Sequence, residues 1–509
     1  QSPRTKHTST RHKGKMATPL PSPSMADVNQ PRRAPSPEPE PEPEHETYDI
    51  PEKADDELDD LSIFDLPVDA SHKALKIVIF KFSRPHMRAF HFAWFSFFLA
   101  FFGWFAISPL LNTIAQSPNL GLDSKSARVN SNIIAVSGTI FLRIVIGPVC
   151  DRYGPRVAQS SLLIFGALPV GLVGLSQSYA AFCSFRFFIG FVGATFVVTQ
   201  FWASSMFALP IVGAANAITA GWGNLGGGIT NILMPQLFNM LTAFGLSDDQ
   251  AWRTVMIFPS LGLLACGAAL FFLADDCPDG NYAALIKAGS KPKTNPFVAL
   301  RRAVLNWRVW ILHLAYALCF GVELVMNGNL SSYFQDNFGL SQGTAGLIAG
   351  LFGLMNLFGR ALGGLGSDFA RRKHGMRGRL WSFFVFLFLE GVMLVVFSRM
   401  YSLAGAICLL LLFSFFTQMT QGATFGVVPY VDPVATGAVS GIVGAGGSVG
   451  AVCLNILFRS DDDHHSLLVL GLIVLGGSFS VCLLWWPKYG SMFLRPAVAE
   501  DEEEEEPGE

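Results

Sequence analysis

Two arginines stand where a membrane-spanning helix would normally carry no charge. Arg143, in LRIVIGPVCDRYGPR, and Arg360, in GRALGGLGSDFARRK, open the same pattern. Gly follows four residues later (Gly147, Gly364), Asp four after that (Asp151, Asp368), and then a basic cluster. The two triplets are 217 positions apart. Each arginine lies about 12 Å along a helix from its aspartate, so an Asp at the membrane edge puts the Arg near the bilayer midplane. A charge there costs at least about 2.5–3.5 kcal/mol. Two guanidiniums in matching positions, facing one cavity, repel unless an anion lies between them. Their forked N–H donors suit a planar oxyanion. The bland alternative gives each arginine a private acid, and only Glu323 and Glu390 lie within the apolar spans to serve. Arg186, in SFRFFIGFVG, is a third such arginine. Structural, coupling and substrate roles all stay open for it.

The elements that must hold these residues are read from hydrophobicity. The chain has 509 residues, is 51% hydrophobic and 15% charged, and contains 45 Phe, the profile of a polytopic membrane protein. About 20 apolar residues cross a bilayer. Twelve spans are expected at 88–112, 127–148, 156–177, 179–205, 211–240, 252–274, 308–334, 343–366, 379–398, 401–428, 434–458 and 466–487. The polar stretch 275–306 divides them into six-helix bundles, 86–274 and 307–490. Arg152 and Arg156, the cluster Arg371 to Arg379, and the central loop put basic residues on one side, while SDDQ and SDDDHH lie on the other. The basic side, with both termini, is therefore expected to be cytoplasmic. Residues 1–85, with PSPEPEPEPE, are expected to be disordered, and 491–509 forms an acidic tail. No signal peptide is expected, since no apolar run follows the early charges. Eight scattered cysteines indicate neither a disulfide framework nor a metal site. No P-loop, nucleophile elbow or cofactor motif is visible, so an enzyme is not expected.

The matched triplets mark a duplicated six-helix unit. The portion Gly147, Asp151, Arg152, Gly154, Arg156 resembles the loop 2–3 motif of the major facilitator superfamily. Gly364 and Asp368 belong to a degenerate second copy, lacking the later Gly. The resemblance covers roughly residues 86 to 490. It implies an all-α polytopic membrane protein with twelve transmembrane helices in a 6+6 facilitator fold. It also implies that the motif is a conformational latch of ion pairs.

Two glycine runs occupy spans 5 and 11: GWGNLGGGITNILMP, with Gly221, Gly223, Gly226, Gly227 and Gly228, and TGAVSGIVGAGGSVGAV, with Gly441, Gly444, Gly446, Gly447 and Gly450. Such faces let helices approach closely, and only secondarily let a ligand reach backbone. The pair resembles the two nitrate signatures of the nitrate/nitrite porter family. FHFAWFSFFLAFFGWFAISPLL in span 1 and YALCFGVELVMNGNLSSYF in span 7 are similar to its eukaryotic high-affinity branch of algae and plants. That resemblance implies nitrate, with nitrite, as substrate. It implies that Arg143 and Arg360 hold the anion, that Asn224 adds or positions a polar contact, and that Tyr316 donates its hydroxyl. It implies that Phe196 and Phe320 sandwich the flat anion. Proton symport at the plasma membrane, and in some relatives a small accessory membrane partner, are implied as well.

An empty site with both arginines uncompensated carries two surplus charges, and one when nitrate-loaded. Net import then calls for a titratable group. Glu323 is the first candidate, with His313 and Glu390 behind it. Glu323 has an alternative role as a permanent partner of an arginine in span 4 or span 8. Two other functions compete: a facilitator for another small anion such as a monocarboxylate, and a nitrate sensor without transport.

Overall fold

The computed structural model describes residues 64–288, 296–432 and 435–496. Among them, ten helical segments are long and apolar enough to cross a membrane. One of these, Gln342–Phe397, is two passes. His374 and Gly375 leave helical geometry, and Phe386 comes back to within 3.6 Å of where a Cβ on Gly366 would sit. The glycine-rich helix Leu209–Ala243 is 35 residues long and adds a further pass. The arrangement is consistent with the twelve expected spans, whose numbers are kept below. Among the described residues the fold is mainly helical, with one short hairpin, Trp485–Trp486 with Gly490–Ser491, and a few isolated bridges.

Helix starts at the acidic-loop end are written in the local sequence. Every even-numbered span begins there, and every one has a side-chain cap: Ser124, Ser178, Ser247, Ser341, Ser402 and Asp462 accept from backbone N–H groups of the first turn. Backbone donation from His465 holds the Asp462 carboxyl below its ordinary value.

Residues 1–63, expected to be disordered, lie outside the described residues. Residues 64–85 fall within the same expectation yet are packed. Leu66, Val68 and Ala74 are buried. Ala74 donates to the Met206 carbonyl at 3.0 Å and accepts from Ala208 N–H at 3.0 Å, clipping this segment to the turn between spans 4 and 5. Composition missed it because a short apolar set sits among charged neighbours.

The glycine runs bring helices together. A Cβ on Gly228 of span 5 would lie 2.6 Å from Gly353 Cα of span 8. On Gly226 it would strike the span 1 carbonyl of Phe98. In span 11, Gly446 and Gly450 meet the backbone of His313 and Ala317 in span 7. Gly447 makes room for the Phe320 ring. Gly441 is different: no described atom lies within 4 Å of its would-be Cβ.

Candidate functional site

Both arginines sit beside a break in a neighbouring or their own helix. Span 4 is interrupted by a 3-10 turn, Gly190–Ala194, between Tyr179–Ile189 and Thr195–Met206. Span 8 is interrupted by Met355–Leu357, followed by Phe358 at φ −133°. Such breaks release backbone groups from helical pairing.

Arg143, on the helix Lys125–Tyr153, is 1% exposed and has no carboxylate in ion-pair range among the described residues. Its Nε and Nη2 donate to the carbonyl of Gly193, in the span 4 break, at 3.2 and 3.1 Å. Its Nη1 donates to the Gly444 carbonyl of span 11 at 2.6 Å. The guanidinium also lies 5.4 Å from the Phe196 ring and 5.2 Å from the Phe320 ring.

Arg360 is held differently. Its Nη2 is 3.4 Å from Glu323 Oε2. Glu323, fully buried on the span 7 helix Trp307–Phe338, also accepts from Asn356 Nδ2 at 2.8 Å and Gln421 Nε2 at 2.7 Å. Asn224 fits with its amide oxygen toward Arg360, accepting from Nη2 at 2.5 Å and Nη1 at 3.2 Å. Turned the other way, its nitrogen would face guanidinium donors and reach Glu323 only at 3.5 Å, a poorer arrangement. Arg360 lies 5.9 Å from the Phe320 ring, so both guanidiniums are within cation–π reach of one aromatic.

This corrects the charge count read from the sequence. Arg360 has a private acid and Arg143 has none. With Glu323 ionised, the empty cluster carries one surplus positive charge, not two. Spacing along the chain does not show that spans 7 and 8 put Glu323 against Arg360.

Tyr316 is buried with its ring stacked on Phe320 at 5.1 Å. Its hydroxyl and Arg360 Nε are buried without partners. Phe196 and Phe320 are nearly parallel, 25° apart, with centroids at 5.9 Å. A flat anion between two faces needs about 7 Å, two van der Waals separations. The slot between the rings is therefore narrower than the sandwich expected from the sequence.

The other two proton-coupling candidates make no hydrogen bond into this cluster among the described residues. His313 Nδ1 engages the Ile442 carbonyl at 2.8 Å, and the residue sits about 15 Å along the helix from Glu323. Glu390 is fully buried and neither carboxylate oxygen has a hydrogen-bond partner. The nearby Thr417 and Thr420 hydroxyls donate to their own helix, to Phe413 and Phe416 carbonyls.

The motif residues form two local clusters. Gly154 takes φ +86°, and Asp276 packs where a Cβ would be. Asp276 accepts from the Arg156 backbone N–H at 2.9 Å and lies 3.8 Å from its Nε. Arg152 lies over Tyr153, and Gly147 has no described atom within 4 Å of its would-be Cβ. The Asp151 side chain lies outside the described residues. In the second copy Asp368 pairs with Arg379, and Gly364 faces the Gly422 carbonyl at 4.0 Å. Sequence reasoning missed Asn356, Gln421 and Gly193, and read Arg379 only as part of a basic cluster. Amides and carbonyls in apolar spans leave no spacing signal.

Comparison with known proteins shows the family and the fold. The Major Facilitator Superfamily model matches residues 93–454. The chain is 42% identical to the high affinity nitrate transporter 2.5 of Arabidopsis thaliana over 87% of its length and 88% of that protein. It is 36% identical to nitrate transporter 2.1 of Chlamydomonas reinhardtii, over 86% and 81%. The chain belongs to the nitrate/nitrite porter family of the major facilitator superfamily. It is thus a multi-pass membrane transporter and not an enzyme. Among solved structures, a bacterial homolog of the human lysosomal transporter Spinster shares the fold, with TM-score 0.60 and 14% identity over 78% of this chain and 97% of that one. The human organic anion transporter MFSD10 does so with TM-score 0.55 and 17% identity, over 78% and 100%.

Proposed function

We propose that this porter carries nitrate, and with it nitrite, by alternating access, with the anion held between Arg143 and Arg360. The observation that carries this reading is Arg143: a buried guanidinium without a carboxylate, facing the same Phe320 ring as Arg360. The unpartnered Tyr316 hydroxyl and Arg360 Nε supply further donors, and leaving such groups unmet costs about 1–3 kcal/mol each. Nitrate has three coplanar acceptor oxygens for these groups. Phe196 and Phe320 part by about 1 Å to admit it edge-on or face-on. The nitrate names carried by the plant and algal relatives support the same substrate.

Coupling follows from competition for one guanidinium. Glu323 and nitrate both draw on Arg360. A proton on Glu323 releases Arg360 to the anion, and a bound anion raises the cost of an ionised Glu323. Proton and nitrate therefore favour each other's binding by the same factor. The loaded, protonated site has a surplus of one charge. The empty, ionised site also has a surplus of one, so the return step meets no larger electrostatic barrier. Gly228 against Gly353, and span 11 against span 2, are the close helix pairs along which the two bundles rock. The basic-loop side faces the cytoplasm of the plasma membrane.

The test is nitrate uptake in a host lacking its own carrier. Uptake inhibited by nitrite and chlorate but not by acetate is expected. Strong inhibition by acetate with none by chlorate would favour a monocarboxylate facilitator. Nitrate binding without uptake would favour a sensor.

A further inference from the structure

Arg186 is a buried guanidinium that the central site does not use. It lies on Tyr179–Ile189, toward the acidic-loop end of span 4, and is 1% exposed. Among the described residues no carboxylate reaches it, and its buried Nε has no partner. Its Nη2 donates to Asn132 Oδ1 of span 2. A charge this deep, without a counter-ion, is costly to keep.

Its one partner is tied to the opposite bundle. Asn132 Nδ2 donates to the Gly328 carbonyl at 3.1 Å and to Asn329 Oδ1 at 3.2 Å, both on span 7. Asn329 Nδ2 in turn donates to Asn455 Oδ1 of span 11 at 2.8 Å. This bridge joins the two bundles at the acidic-loop end, with Lys125–Asp463 at 2.6 Å and Asn112–Asp336 at 3.0 Å. When that end opens, the Asn132 amide loses its span 7 acceptors. Arg186 and Asn132 then line the open cleft together, with free N–H groups and a positive charge that has no acid of its own. The central site uses the same residue pair, Arg360 with Asn224.

We propose that Arg186 and Asn132 form a second oxyanion site on the acidic-loop side, which takes a small planar anion as that end opens and passes it to Arg143. The transfer is short. Gly193, whose carbonyl holds Arg143, is seven residues beyond Arg186 on span 4, roughly 10–14 Å. The inference rests on the outward orientation of the acidic-loop side and on nitrate as cargo.

The experiment measures zero-trans nitrate flux in each direction across proteoliposomes of known orientation. In Arg186→Gln the half-saturating nitrate on the acidic-loop side rises at least tenfold, while that on the basic-loop side stays within twofold. Arg186→Lys keeps the charge without the fork and recovers part of the loss on the same side only. It also decides the question if the glutamine variant does not reach the membrane. Asn329→Ala removes the side-chain link of the bridge, leaves the Gly328 carbonyl and the site intact, and keeps half-saturation on the acidic-loop side within twofold. Equal changes on both sides, or no change in either arginine variant, overturn the proposal and assign Arg186 a structural role. Failure of the wild-type protein to carry nitrate in either direction strikes the central reading instead, and this proposal with it.

Discussion

At the level of single residues, the proposed coupling rests on Glu323. It is fully buried and shared among Arg360, Asn356 and Gln421, so its ionisation competes with any anion for Arg360. On the proposed coupling, a proton on Glu323 frees the guanidinium and tightens nitrate. In Glu323→Gln that competitor is permanently neutral. Nitrate binding should lose its pH dependence and at alkaline pH be tighter than in the wild type, while uptake no longer follows an imposed pH gradient. Binding titrations at two pH values check this, and an unchanged pH dependence in the variant would remove Glu323 from coupling. The arginines themselves stood out in the sequence as charges inside apolar spans, and both are buried. Their partners did not stand out. Asn356 and Gln421 become neighbours of Glu323 only through tertiary packing, and a glutamine in an apolar run looks the same in either role.

The helices carry the next level of argument, and glycine substitutions separate packing from propensity. Alanine is favoured over glycine in a helix interior by roughly 0.5–1 kcal/mol. At Gly441, with open space around its would-be Cβ, Gly441→Ala should raise stability by up to about that amount. At Gly353 the added methyl meets the backbone of Gly228 and cannot be accommodated without parting spans 5 and 8. Gly353→Ala should destabilise by about 1–3 kcal/mol, seen as a lower Tm of the detergent-solubilised protein. A Tm shift of the same sign for both variants would contradict this division. The glycine density of spans 5 and 11 was visible in the sequence. The breaks at Gly190–Ala194 and Met355–Leu357 were not, since neither contains proline and each lies inside a continuous apolar run.

For the molecule as a whole, the described polar contacts between bundles fall in the central cluster, with Arg143–Gly444 and Asn224–Arg360, and in a second group at one end. Lys125–Asp463, Asn112–Asp336, Asn130–Arg459 and the Asn132 bridge all lie toward the acidic loops. Removing the Lys125–Asp463 pair, worth about 1 kcal/mol in such a partly exposed setting, should shift the population open at that end about fivefold. Labelling of Val129→Cys, where Val129 is 3% exposed, by a membrane-impermeant thiol reagent from that side should rise by that factor in Lys125→Ala. Unchanged labelling would place the closure elsewhere. The duplicated six-helix layout was readable from the 217-residue repeat, and the state of closure was not, because it depends on contacts between halves that share no local sequence.

The central claim is that two arginines jointly hold the anion, and equilibrium nitrate binding to the purified protein tests it most directly. Arg143→Lys and Arg360→Lys keep the charge but lose the planar fork. Each should weaken nitrate binding at least tenfold, about 1.4 kcal/mol. The double variant should lose less than the sum of the two, since both act on one anion. Wild-type affinity in either lysine variant would contradict the shared site.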